Sequence, residues 1–147
     1  MKELVYLGWF LILLCIPRGS LAQETSSDSS EAILVIYRKP HLNFTAFRIY
    51  GDETILIPDV KANSYYLIKR KPGRIFLKTE GSVLRNLAEK REYSLTLEAG
   101  KTYYLEAILE YQFLLTSLHL VKRSEVDGAE AIRKMKGIMI DVKQPMP

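Results

Sequence analysis

The chain is expected to be mainly β: an antiparallel β-sandwich of about seven or eight short strands with one C-terminal helix. Three observations carry this expectation. Short β-branched and aromatic segments recur at close spacing between turn signals. Along most of them apolar and polar residues alternate, the period of a strand with one buried face. Only from Ser124 onward does the apolar period become helical.

The first strand is read over Ala32 to Arg38, AILVIYR. It is apolar on both faces, as a fully buried strand must be, and Lys39-Pro40 ends it because proline cannot donate to a ladder. Thr45 to Tyr50 places Thr45, Phe47 and Ile49 on one face. Gly51-Asp52 is a turn, and Thr54 to Ile57 is a short strand stopped by Pro58-Asp59. Ser64 to Arg70 follows, then the tight turn Lys71-Pro72-Gly73, then Arg74 to Lys78. Thr79 to Lys90 is polar and mixed, a loop or a short helical turn around Leu84 to Leu87.

Tyr93, Leu95 and Leu97 alternate with polar residues, as do Tyr103, Leu105, Ala107 and Leu109 after Ala99-Gly100-Lys101. A hairpin with Leu97 opposite Tyr103 is the expected register. Gln112 to Val121 is the best candidate for a central strand. Ser124 with Asp127 resembles a capping box. Val126, Ala129, Ile132 and Met135 then share a helical face, so a helix is expected near 125–136, with Gly137 as its C-cap. It would cover an edge or an open end of the sandwich.

Residues 1–22 read as a secretory signal peptide. Lys2 precedes an apolar run from Leu4 to Ile16, and Ser20-Leu21-Ala22 offers small residues for cleavage. A membrane anchor needs about 20 apolar residues, and this run is shorter, so retention as an anchor is the alternative. Residues 23–31, QETSSDSSE, read as a polar tether, and 32–147 as the domain. Cys15 is the single cysteine. Cleavage after Ala22 leaves no disulfide, thiolate metal site or thiol nucleophile. The precursor carries 21 Lys and Arg against 17 Asp and Glu; without Lys2, Arg18 and Glu3 these become 19 and 16, a net of +3. Such a small, mixed charge does not argue for nucleic-acid binding.

The succession EAILVIYR, FRIYGDE, SYYLIKRKPGRIFLK, YSLTLEAGKTYYLEA, a long apolar strand and SEVDGAEA resembles the bacterial envelope family called domain of unknown function 2846. The resemblance runs from Glu31 to Met135. Its most specific pieces are Tyr37-Arg38, Pro72-Gly73 and Ala99-Gly100-Lys101-Thr102-Tyr103-Tyr104. It implies a small exported β-sandwich protein, often a lipoprotein, with no activity to carry over. Ile12, Leu13 and Leu14 stand before Cys15 where a lipoprotein signal has small residues, a departure from the lipoprotein members. A bacterial origin also argues against use of the sequon Asn43-Phe44-Thr45.

No motif for a metal, a cofactor or a catalytic nucleophile is present. His41 and His119 are the only histidines; neither has metal-ligand spacing, and His119 reads as a half-buried, hydrogen-bonded residue. Glu106 and Glu110 share a strand face, but four residues of strand span about 13 Å, beyond the roughly 5–9.5 Å of a glycosidase pair. Their plain role is to keep an outer face soluble. Lys69, Arg70, Lys71 and Arg74 cluster around Pro72-Gly73, near Tyr65 and Tyr66. The plain reading is a solvated loop tip. The functional one is a contact for an anion, a lipid headgroup, a glycan or another envelope protein. In Tyr65-Tyr66 and Tyr103-Tyr104 one ring of each pair should be core.

The expected function is therefore a non-enzymatic binding or structural module of the envelope. The alternatives are a carrier of an apolar ligand between the sheets, walled by Gln112 to Val121, and a hydrolase with His119 as its base. Membrane association would come through an uncleaved signal or a lipid. Intact-mass measurement on periplasmic and membrane fractions of the host should find a soluble species beginning at Gln23. A membrane species that keeps residues 1–22, or begins at Cys15 with added lipid mass, would make it an anchored protein.

Overall fold

The computed structural model describes residues 30–42, 46–81, 91–112 and 115–140. The segments 1–29, 43–45, 82–90, 113–114 and 141–147, with the signal peptide, Cys15, most of the tether, the sequon, Thr45 and the Leu84 to Leu87 turn, lie outside them. The described chain forms β1 (Ala32–Arg38), β2 (Phe47–Gly51), β3 (Thr54–Ile57), β4 (Ser64–Arg70), β5 (Gly73–Gly81), β6 (Arg91–Leu97), β7 (Thr102–Gln112), β8 (Leu115–Arg123), α1 (Glu125–Ile132) and β9 (Lys136–Ile140). Two sheets face each other, one ordered β8-β7-β1-β4-β9 and the other β3-β2-β5-β6. A β-sandwich with one C-terminal helix is thus present, with nine strands among the described residues.

It is not wholly antiparallel. β1 runs parallel to β7, and β4 parallel to β9, while the smaller sheet is antiparallel throughout. The cause is the path of the chain, which changes sheet after β1, β3, β4 and β6. Strands that return to a sheet through the other one can arrive in either direction.

β1 is the central strand of the larger sheet and is buried on both faces, as its composition requires. Leu34 and Ile36 point into the core with Phe47, Ile49, Ile57, Ile68, Ile75 and Leu77. Val35 and Tyr37 point outward and are also buried. β2 and β3 form a hairpin around Asp52 and Glu53, whose φ values of 48° and 68° give the primed turn that matches strand twist.

The expected hairpin over Ala99 to Lys101 does not form. β6 pairs with β5, and β7 pairs with β1 and β8, so the segment crosses between the sheets. Its backbone is engaged by the start of β1: Gly100 N donates to Glu31 O, and Ile33 N donates to Lys101 O, both at 2.9 Å. Gly100 takes φ 71°, open to glycine at no steric cost. The facing of the side chains still holds. Leu97, Tyr103, Leu105 and Ala107 enter one core, with Tyr93, Leu95 and Leu109 packed on it.

Gln112 to Val121 is not one central strand. β7 ends at Gln112, β8 begins at Leu115 opposite it, and β8 is an edge strand. The run is too apolar to reveal the break. The helix is also shorter than expected and is rotated. Ser124 caps it, accepting from Asp127 N at 3.1 Å and donating to Asp127 Oδ2 at 2.7 Å. It ends at Ile132 because Met135 N turns back to Ile132 O and Lys136 N donates to Asn63 O as β9 begins. Gly137 is therefore a strand residue, opposite Tyr65, and not a C-cap. Val126 is 76% exposed, and the face turned inward holds buried Gly128 with half-buried Ala131, Ile132 and Met135. α1 lies on the outer face of the larger sheet over β7, not over an edge.

Gly128 sits directly on Tyr104: a Cβ there would lie 2.2 Å from its Cγ. Replacing a helical glycine by alanine ordinarily stabilises by about 1 kcal/mol. Here the ring's own Cβ is also in the way, so the helix must move. Gly128→Ala should instead destabilise by about 1–3 kcal/mol, read from urea unfolding curves. A gain in stability would show that α1 does not pack here.

Candidate functional site

The largest described hollow lies on the outer face of the smaller sheet. Alternation in β5 sends Ile75, Leu77 and Thr79 inward and Arg74, Phe76, Lys78 and Glu80 outward. The pairing then builds rows across the sheet. Tyr50 stands beside Lys78, and Lys78 beside Glu92; Arg48 stands beside Glu80; Phe76 stands beside Ser94. The result is an open trough of about 720 Å³ lined by Tyr50, Asp52, Glu53, Phe76, Lys78, Glu80 and Glu92, with Leu77 at its floor.

Two anchors set its shape. Asp52, in the β2–β3 turn, accepts from Phe76 N at 3.0 Å and from Arg70 Nη2, and its own N donates to Phe76 O at 2.9 Å. Arg74 donates from Nε to Ser94 Oγ at 2.8 Å and places its guanidinium 5.3 Å from the centre of the Phe76 ring. Phe76 remains 57% exposed, a large apolar ring presented among charges. The lining carries four carboxylates, Asp52, Glu53, Glu80 and Glu92, and one ammonium, Lys78.

The six residues singled out from the sequence do not form one surface. Tyr66 is core; its hydroxyl donates to Asp59 O and accepts from Lys61 N, both at 2.8 Å. Tyr65 lies half-buried on the other face of β4, over Gly137. Both stand at the start of β4, roughly 10–16 Å along the strand from the basic residues. Lys69 shares the outer face of the larger sheet with Tyr65, whereas Arg74 lies on the outer face of the smaller sheet. Arg70 is paired with Asp52, and Lys71 is an exposed residue of the crossover. Strand alternation finds the core and passes over the trough, whose residues occupy the opposite face. Phe76, an aromatic at a polar position between Arg74 and Lys78, is the signal in the sequence that marks it.

Two further polar clusters sit elsewhere. Glu106, expected to solubilise an outer face, is buried beneath α1. It accepts from Lys39 Nζ at 2.9 Å and Arg123 Nε at 2.7 Å, beside Tyr37. Burial works against its charge, but the two cations outweigh it and hold the carboxyl below its ordinary value. Burial first, and the Glu106 charge second, push the Tyr37 phenol up. Glu110 belongs to a separate group with Arg91 and His119, linking the smaller sheet to the β7–β8 pair.

Ser117, His119 and Glu110 match a triad by type but not by geometry. Ser117 Oγ, at 3.3 Å, and Glu110 Oε2 both approach His119 Nε2. In a triad nucleophile and acid occupy opposite ring nitrogens, and Ser117 is only 3% exposed. His119 is half-buried and hydrogen-bonded as read, while His41 is exposed and stacks at 5.8 Å on Tyr111. Among the described residues no three His, Cys, Asp or Glu side chains gather where a metal could bind, and no helix is long and apolar enough to cross a membrane. No family model matches the chain, and no curated protein matches it.

Glu106 gives a pH-dependent test. Its folded pKa lies below its unfolded value, near 4.3, so its stabilisation is complete above that value. It is lost as pH falls through the folded pKa. Glu106→Gln should cost about 1–3 kcal/mol at pH 7 and flatten the loss of stability below pH ~4. Urea unfolding at pH 7 and pH 3 checks both. An unchanged acid slope would remove Glu106 from the linkage.

Proposed function

We propose that this chain is an exported bacterial envelope protein, similar to the domain of unknown function 2846 family, whose sandwich is a non-enzymatic binding module. We place its binding surface in the trough on the four-stranded sheet. The observation that carries this reading is Phe76, 57% exposed on the wall of a built, charged hollow. An exposed ring held by an arginine and flanked by hydrogen-bonding side chains suits a ligand with one apolar face and many hydroxyls. The lining carries four carboxylates and one ammonium, with Arg70 on Asp52 and Arg48 beside Glu80, so the hollow has no cationic excess to draw an anionic headgroup. The reading is therefore a neutral or cationic glycan of the envelope, laid across Phe76 and Tyr50 with its hydroxyls on Asp52, Glu80, Glu92 and Lys78.

Two residues of the stretch expected to wall an apolar ligand are closely packed. Leu118 and Leu120 are packed in the core, at 1% and 6% exposure.

Phe76→Ala tests the proposal with little risk to the fold, because exposed sites away from special features shift stability by about 0.5 kcal/mol or less. Binding to polysaccharide from the host envelope, measured by affinity electrophoresis, should weaken at least tenfold, with the melting temperature nearly unchanged. Equal retardation of the variant and the parent would end the trough reading.

A further inference from the structure

The outer face of the larger sheet is covered by α1 over β7. Toward β4 and β9 the cover ends: Met139 is 74% exposed, and Tyr65 and Leu67 are half-buried. Strand alternation turns Tyr65, Leu67 and Lys69 of β4 to this face, with Gly137 and Met139 of β9. Tyr65 stands beside Gly137, and Leu67 beside Met139. Tyr65 lies across Gly137, where a Cβ would be 2.5 Å from its phenol oxygen. The result is an apolar strip of Tyr65, Leu67 and Met139. It continues around the β9 edge into a hollow of about 430 Å³, lined by Met139 with Pro58, Ile138 and Ile140.

Cations rim the strip. Lys69 is the next outward residue after Leu67 on β4, Arg133, Lys134 and Lys136 stand where α1 passes into β9, and Lys61 lines the hollow. All five are exposed. No ion pair ties any of them to an acid among the described residues. Against them stand Asp59, in the hollow, and Glu31, just before β1. The helix acids Asp127 and Glu130 line a different hollow with Lys39 and Arg123, toward β8.

An apolar strip with a rim of one charge sign suits a surface that is anionic outside and apolar beneath. Seated there, Met139 and Tyr65 enter the headgroup layer. The lysine stems lie along the apolar surface with their ammonium groups on the phosphates. A second copy fits worse. A two-fold contact at β9 would bring like charges together, and a lysine on an edge strand opposes strand pairing.

We propose that the β4–β9 side of the larger sheet seats the folded domain on an anionic lipid surface. The trough, on the outer face of the other sheet, then points away from that surface. The proposal does not depend on what the trough binds.

The test is sedimentation of the full chain with vesicles of phosphatidylcholine alone, and of phosphatidylcholine with an equal amount of phosphatidylglycerol. The readout is the ratio of the two affinities, so that any contribution of residues 1–22 common to both cancels. Binding to the anionic vesicles should be at least tenfold stronger and should fall as salt rises. Lys134→Glu with Lys136→Glu should remove most of that ratio. Met139→Ser should weaken anionic binding about threefold through lost apolar contact, with the melting temperature nearly unchanged because the site is exposed. Equal binding to both vesicles overturns the proposal, as does a ratio that the double charge variant leaves intact. So does a Met139→Ser variant that binds like the parent. Sedimentation velocity without vesicles should find a monomer; a dimer that Met139→Ser abolishes would assign this face to a second copy and overturn the lipid site.

Discussion

β1 is the strand on which the rest of the molecule depends. It has a hydrogen-bonded neighbour on each edge, β4 antiparallel and β7 parallel, and a cover on each face. A parallel neighbour cannot be reached by a tight turn. The chain must leave the sheet after β1, build the other one, and come back. That requirement accounts for the crossovers at Pro72-Gly73 and at Ala99 to Lys101. It also explains why the second crossover hydrogen-bonds to Glu31 and Ile33 and not to itself alone. Those bonds set the β1–β7 register, and β8 then follows from β7 by a direct return.

Facing was legible in the sequence and pairing was not, for a physical reason. Facing is local: with a period of two, Leu97 and Tyr103 each turn inward whatever strand lies beside them. Pairing is a long-range choice between edges of similar appeal, and nothing local in Ala99-Gly100-Lys101 separates a hairpin from a crossover. The bounds of β1 and β4 were readable because proline or turn residues end each of them. The β7–β8 break was hidden because it falls inside an apolar run. Helix start was readable from Ser124 and Asp127, but helix end was not. It is set by the entry into β9 at Lys136 beside Asn63, a tertiary contact. The trough was hidden for the converse reason: its rows, such as Tyr50, Lys78 and Glu92, exist only once β2, β5 and β6 are placed side by side.

The two buried charged residues among those described, Arg38 and Glu106, lie at the C-terminal end of β1. Successive residues there point to opposite faces, so Tyr37 meets Glu106 beneath α1 while Arg38 enters the space between the sheets. Lys39 then reaches back to Glu106. Glu106 has two cations within hydrogen-bonding distance, whereas Arg38 has one acceptor. The first arrangement satisfies its charges internally and ties the end of β1 to the end of β8. The second leaves Nε and Nη2 of Arg38 buried with no hydrogen-bond partner among the described residues.

The two outer faces of the sandwich also differ in kind. The larger sheet turns Val35, Tyr37 and Tyr104 outward, and α1 lies over this face with the buried contact at Gly128. An apolar outer face needs such a lid over β7, while Met139 on β9 stays exposed beyond it. The smaller sheet turns out Arg48, Lys78, Glu80 and Glu92, which need no cover, and it keeps Phe76 exposed among them. Charge makes that face soluble without help, so an exposed ring on it is not required for folding. A residue that does not serve the core and is fixed by Arg74 on one side and the Asp52 turn on the other is best understood as part of a surface prepared for contact.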